Sequence, residues 1–171
     1  MEQQLYENIK PFSVFKNPDG TVYTVIAIAK HSENKDENLV IYRDSGEVNE
    51  ILYAKPIELF AREETRSICP GLKDENEKIE FEEGREVLPY TLWSHFKGAF
   101  SLVIGLAKNT ETGENFVVYR CMKSDGITNH KDGVYARPLD MFLSPVDREK
   151  YSESQYPQFY RFTKTSSGVI D

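Results

Sequence analysis

The strongest constraint on the fold is an eight-residue segment that the sequence contains twice. Residues 53–60 read YAKPIELF, and residues 135–142 read YARPLDMF. Four positions are identical, and the other four hold close chemical equivalents. Agreement at eight successive positions is difficult to attribute to composition, so the octet indicates a duplicated unit.

The proline of each octet predicts how the unit ends. Proline lacks a backbone N–H and favours extended geometry in the residue before it, so Lys55 and Arg137 should each end a strand. Proline also suits the start of a helical turn. Apolar residues three positions apart in that turn, such as Ile57 and Phe60, share one face. Each turn is therefore expected to close a small hydrophobic core.

Apolar segments alternate with polar turns in both units. The first unit has a turn at residues 17–20 and a long apolar run at 21–30, and the second has its long run at 100–108. This order predicts a β-meander that ends in the proline-led helical turn. Because the long strands are apolar on both faces, we predict a mainly β protein of two tandem small SH3-like barrels. Residues 78–82 and 158–162 are expected to add a fifth strand to each barrel.

The predicted domains follow the repeat. The first barrel spans residues 1–62 and could be completed by residues 77–83, and the second spans 89–163. Residues 63–88 form an acidic connector with nine acidic and four basic residues, and 164–171 form a flexible tail. Units of roughly 60 residues are near the lower limit for an independent core. The units are therefore expected to pack on each other or on a second chain, which allows a homodimer.

Composition limits the location and the partners of the protein. The net charge of −7 is concentrated in the connector, which argues against a broad phosphate-binding face. No apolar run is long enough for a membrane span, and the first residues lack a signal-peptide pattern. Cys69 and Cys121 fall at unrelated places in the two units, which argues against a disulfide or thiolate metal site. We expect a cytoplasmic protein without membrane association, metal or cofactor.

Aromatic and cationic residues adjoin at the predicted strand ends, and we interpret them as candidate ligand-binding residues. They are Tyr42, Arg43, Tyr53 and Lys55 in the first unit, and His95, Lys97, Tyr119, Arg120, Tyr135 and Arg137 in the second. A guanidinium beside phenol rings can stack on a base, clamp a carboxylate or hold a peptide. In the alternative interpretation the tyrosines cover the core while the cations pair with Glu58 or Asp140.

The histidines do not form a known catalytic or metal-binding motif. His31, His95 and His130 share no helical spacing, and no HExxH or CxxC pattern accompanies them. A glycine-rich phosphate loop, a GxSxG elbow and a paired-carboxylate signature are also absent from the sequence. A satisfied or exposed histidine is therefore the expected role.

Three functions stay open on the sequence alone. The first is a non-enzymatic binding module with paired aromatic and basic grooves for a peptide or single-stranded nucleic acid. Duplication favours it, because two linked weak sites gain effective concentration. The second is an enzyme or enzyme subunit with a pocket centred on His95, and the third is a structural partner in protein–protein contacts. We favour the binding module.

Four short motifs of the second unit occur in the same order in a known family. They are HFKG at 95–98, AKNTE at 107–111, VVY at 117–119 and RPLDMF at 137–142. In this order they resemble the bacterial family of small domains of unknown function numbered 1653. The family pattern has histidine at Asn109. The first unit keeps that element as His31, but has Val14 where the first histidine would fall and Lys55 for the arginine. The resemblance implies a compact β-rich domain and no established activity.

Overall fold

Strands make up most of the regular structure. A computed structural model describes residues 6–48, 51–68, 78–122 and 133–165. The strands are β1 (Val14–Lys16), β2 (Val22–His31), β3 (Asn38–Asp44), β4 (Leu52–Pro56), β5 (Leu92–His95), β6 (Phe100–Asn109), β7 (Asn115–Met122), β8 (Gly133–Pro138) and β9 (Phe162–Lys164). Two short helices, α1 (Ile57–Ala61) and α2 (Leu139–Leu143), follow β4 and β8. No helix in these ranges is long and apolar enough to cross a membrane.

Six strands close into one barrel that the two halves of the chain share. We call β1–β4 with α1 the first half, and β5–β9 with α2 the second half. β2, β3 and β4 are antiparallel neighbours, as are β6, β7 and β8. Two parallel seams join the halves, one between β2 and β8 and the other between β4 and β6. Lys30 lies opposite Tyr135 in one seam, and Lys108 lies opposite Tyr53 in the other. The seams therefore use equivalent residues.

The mainly β fold with a barrel is confirmed, but two tandem barrels and an SH3-like topology are not. Each half supplies three strands to the ring, which is too few to close a barrel alone. The open edges of each half pair with the other half instead. This pairing leaves no unpaired edge around the ring.

The predicted fifth strands also differ from the structure. Residues 78–82 contain no strand, and Ile79 and Phe81 pack against the core of the second half. β9 begins at Phe162, the last residue of the predicted 158–162 segment, and pairs with β5. Residues 69–77 of the predicted connector and 166–171 of the predicted tail lie outside the described residues.

Three hydrophobic clusters stabilise the barrel. The central cluster fills its interior and contains Ala27, Ala29, Leu39, Ile41, Ala54, Ala107, Phe116, Val118 and Ala136. Alanine predominates there because a six-stranded ring leaves a narrow interior. Two flanking clusters lie outside the ring, one on each half. Phe60 is fully buried in the first flanking cluster and Phe142 in the second.

Equivalent β-bulges interrupt the alternation of the two longest strands. The register of β2 against β3 shifts between Val25 and Ala27, and that of β6 against β7 shifts between Val103 and Gly105. Val25 packs in a flanking cluster, whereas Ala27 packs in the central one. The bulge therefore turns the strand from one core to the other, as bulges re-aim side chains elsewhere.

Both octets adopt the same conformation. Pro56 and Pro138 end β4 and β8 and cap α1 and α2, and φ is −49° at both. Each helix begins one residue after its proline, as predicted for the helical turn. Each strand extends one residue past its predicted end at Lys55 or Arg137 and includes the proline. The helical turn places the last residue of each octet in the flanking core of its own half.

Phe12 and Tyr90 share an unusual turn before β1 and β5. Ser13 and Thr91 each donate their N–H to the carbonyl three residues earlier, at 3.0 and 3.4 Å. Phe12 has a φ of 69° and Tyr90 a φ of 64°. Proline followed by a residue of positive φ is the pattern of a type II turn, in which glycine or asparagine normally fills the second place. An aromatic residue there is strained by about 1–2 kcal/mol.

We expect Tyr90→Gly to be more stable than Tyr90→Ala by about 1 kcal/mol, because both remove the ring but only glycine relieves the left-handed backbone. Urea unfolding of the two variants measures the difference. At Leu88, which is exposed and has no positive φ, glycine should instead be less stable than alanine. Equal stability of the two Tyr90 variants would contradict a strained turn.

Candidate functional site

The C-terminal ends of four barrel strands meet at one end of the ring. β2, β4, β6 and β8 run in the same direction, because β3 and β7 are antiparallel to their neighbours and both seams are parallel. We call this the proline end, since Pro56 and Pro138 lie there. Lys55 and Arg137, two of the predicted ligand-binding cations, precede these prolines.

Two reciprocal ion pairs connect the halves at the proline end. Arg137 Nη1 lies 2.7 Å from Glu33 Oε1, and Lys55 Nζ lies 3.4 Å from Glu111 Oε2. Both cations are buried, with 6% and 3% of their surface exposed. The cations therefore pair with carboxylates, as the alternative interpretation expected, but the partners come from the other half rather than from the octets. This arrangement assigns Lys55 and Arg137 to the contact between the halves.

His31 and Asn109 hold the loops that carry these carboxylates. His31 Nδ1 accepts the N–H groups of the residues two and three positions later, both at 3.1 Å. Asn109 Oδ1 accepts the corresponding N–H groups at 2.9 and 3.3 Å. The two side chains thus supply the same acceptor at equivalent places. Asparagine replaces the histidine of the family pattern without loss of this contact.

The tyrosines of the predicted grooves lie mainly inside the cores. Tyr42 and Tyr53 have no exposed surface, and Tyr119 is 4% exposed. Burial raises the pKa of all three hydroxyl groups above the ordinary tyrosine value. They are therefore neutral phenols at physiological pH, and their rings are covered. The structure thus places these three rings in the cores rather than on a groove surface.

Three of the four strand-end residues in the second half come together. The rings of Tyr119 and Tyr135 stack with their centroids 6.0 Å apart, and Arg137 Nε donates to the Tyr119 hydroxyl at 3.4 Å. Arg120 follows Tyr119 on β7, and alternation along the strand directs its side chain to the opposite face from the Tyr119 ring. The same alternation separates Tyr42 from Arg43.

His95 and Lys97 take part in aromatic packing. The His95 ring is 5% exposed and lies 4.5 Å from the Phe96 ring and 4.8 Å from the Phe162 ring. His95 Nδ1 accepts the Lys97 N–H at 3.3 Å. The Lys97 ammonium lies 4.6 Å from the Tyr151 ring centroid, and a hydrogen bond from Lys97 lowers the pKa of Tyr151. His130 lies outside the described residues.

An apolar cleft of about 630 Å³ lies where the two halves meet. The first half contributes Ile26, Arg43 and Leu52, and the second half contributes residues 104–106. Ile79, Phe81 and residues 87–90 come from the segment before β5. Arg43 is the one charged side chain among these lining residues. Arg43 is thus a predicted site residue that lines this cleft.

Tyr90 is an exposed aromatic residue of this cleft that sequence reasoning missed. Its side chain is 85% exposed, and that of Phe12, its equivalent in the first half, is 80% exposed. A usable signal was present, because proline, an aromatic residue and serine or threonine follow one another at 11–13 and at 89–91. The aromatic residue stands where a type II turn normally has glycine.

In the described ranges, no three His, Cys, Asp or Glu side chains come together in a group that could hold a metal ion. Neither the comparison with curated proteins nor the comparison with solved structures gave a match.

The family comparison matched the second half of the chain and not the first. Residues 91–164 match the model of the family described as protein of unknown function (DUF1653), which supports the resemblance of this segment to that family.

Proposed function

We propose that the protein is a non-enzymatic binding module that holds an extended peptide segment of a partner protein in the cleft between its halves. The observation that carries this proposal is Tyr90, an exposed aromatic ring on a strained turn that also lines an apolar cleft.

We further propose that the halves derive from one duplicated unit. The equivalent seams, bulges and octets support that origin.

The turn fixes the backbone that carries the Tyr90 ring. The Tyr90 N–H donates to the Val103 carbonyl at 2.8 Å. Pro89, the preceding residue, has its backbone φ fixed by the proline ring. Glycine would relieve the strain, and little of the ring's surface is buried in return, so folding alone does not explain a tyrosine here. A tyrosine side chain has only two χ angles and loses little entropy on binding, which is one reason why such residues dominate many interfaces.

The lining of the cleft favours a peptide over nucleic acid. Aliphatic side chains such as Leu52, Ile104 and Leu106 form most of its walls and match apolar peptide side chains. A single-stranded nucleic acid requires several cations along its phosphates, whereas the described lining contains Arg43 alone. The enzyme alternative has less support, because His95 is packed between two aromatic rings.

Peptide selection from a phage-displayed library tests the proposal. We expect the wild-type protein to select apolar sequences, and Tyr90→Ala to weaken the selected peptides at least tenfold, about 1.4 kcal/mol, as expected for an interface anchor. Isothermal titration calorimetry measures the affinities. Phe159→Ala removes another aromatic ring, 63% exposed and on an ordinary backbone, and should leave binding unchanged. Unchanged affinity in the Tyr90 variant, with its melting temperature preserved, would show that the cleft is not the binding site.

A further inference from the structure

We infer that the peptide in this cleft carries a carboxylate group that Arg43 binds. The inference rests on the proposed function and specifies the chemical class of its ligand. An apolar cleft can bind many apolar peptides with similar affinity. A charged residue in its lining can distinguish among these peptides by the groups that they carry.

The strand position of Arg43 explains why a cation enters an apolar cleft. Leu39 and Ile41 point into the central cluster, and alternation along β3 puts Arg43 on the same face two residues later. The residue lies at the end of β3, opposite Thr24 of β2, and is half-buried. Its long side chain can therefore reach the cleft from the barrel while its apolar part packs against the walls.

Arginine in apolar surroundings fits a carboxylate well. The planar guanidinium has five N–H donors, so it can bind both oxygens of a carboxylate while it keeps contacts within the protein. Apolar walls lower the local dielectric constant, which strengthens such a pair. A phosphate group carries almost twice the charge of a carboxylate, and the described lining offers one cation to balance it. A single carboxylate beside apolar side chains therefore matches the cleft.

The carboxylate could be the C-terminus of the partner or an Asp or Glu side chain. Both present the same two oxygens to the guanidinium. The test therefore uses four pools of fluorescein-labelled hexapeptides, randomised over Leu, Ile, Val, Phe and Tyr. One pool ends in a free acid and one in an amide. The other two are amidated and contain one internal Glu or one internal Gln.

Arg120 supplies a matched control. It takes the place of Arg43 in the second half, two residues after Val118 of the central cluster, but it does not line this cleft. We expect wild-type protein and Arg120→Gln to bind one acidic pool at least tenfold more tightly than its neutral counterpart in fluorescence anisotropy. Arg43→Gln should remove this preference. Arg43→Lys should keep part of it, because lysine retains the positive charge but lacks the planar pair of N–H donors that binds both carboxylate oxygens.

The possible results separate the inference from the proposed function. Equal binding of acidic and neutral pools, still dependent on Tyr90, would refute the carboxylate and leave the peptide site in place. A preference that survives in Arg43→Gln, or that Arg120→Gln also removes, would assign recognition to another residue. If none of the pools binds the wild-type protein, both the inference and the proposed function are wrong. Circular dichroism melts confirm that each variant is folded.

Discussion

Replacement of Phe142 by alanine is expected to lower the free energy of unfolding by about 4 kcal/mol. The Phe142 ring has no exposed surface and stacks on Phe162 with the centroids 4.1 Å apart. Trp93 meets it edge-on at 5.2 Å. Alanine would leave a cavity among these rings, and rigid aromatic neighbours can fill it only in part. The free energy of unfolding of a small protein is only about 5–15 kcal/mol, so the melting temperature of the variant should be far below that of the wild type.

Urea unfolding followed by tryptophan fluorescence measures this loss, because Trp93 is the one tryptophan of the chain. Phe60→Ala, the equivalent change in the first half, should cost about 3–5 kcal/mol, since Phe60 is also fully buried. Phe159→Ala should cost little, because that ring is mostly exposed. A loss below about 1 kcal/mol for Phe142→Ala would mean that α2 does not close the flanking core.

The second large effect is expected at the ion pair between Glu33 and Arg137. Glu33→Ala leaves a buried guanidinium without its carboxylate and should cost about 2 kcal/mol. The exposure of Glu33, 40% of its side chain, keeps the cost below that of a fully buried pair. Arg137→Ala should cost more, because it also removes the contact with the Tyr119 hydroxyl. A double-mutant cycle should give a coupling energy of about 1–2 kcal/mol.

The equivalent ion pair, between Lys55 and Glu111, provides an internal control for that double-mutant cycle. Lys55 Nζ is farther from Glu111 and also donates to the carbonyls of Thr65 at 2.7 Å and Ser67 at 3.3 Å. These carbonyls remain when Glu111 is replaced, so Glu111→Ala should cost about 1 kcal/mol. If the Glu33 and Arg137 changes are simply additive, the pair contributes nothing across the barrel.

The octets show how far local sequence determines structure. Proline at positions 56 and 138 fixes the strand end, and the spacing of apolar residues fixes the face that each helix buries. Both features depend on neighbours within the octet, so the sequence predicted them. The partner of each open strand edge depends instead on residues far away in the chain. Each seam consists of only two or three residue pairs. So short a pairing leaves no pattern in the sequence from which the partner strand could be predicted.

The candidate site was predicted less well, for a geometric reason. Adjacent residues such as Tyr42 and Arg43 are close in sequence, but a strand sends them to opposite faces. One entered the flanking core and the other the cleft. The bulge at Ile26 adds a change of face that alternation cannot anticipate. Tyr90 was missed because turn rules assign a positive φ to glycine or asparagine, so proline followed by an aromatic residue does not predict this turn.

The parallel seams also have a consequence for synthesis on the ribosome. Lys30 pairs with Tyr135, so β2 emerges about a hundred residues before its partner strand exists. Until then the growing chain carries strands whose hydrogen-bonding groups have no neighbour, and such edges promote aggregation. Closure of the ring therefore comes late in translation, and slow, nonlocal pairing should make the nascent chain depend on protection by chaperones.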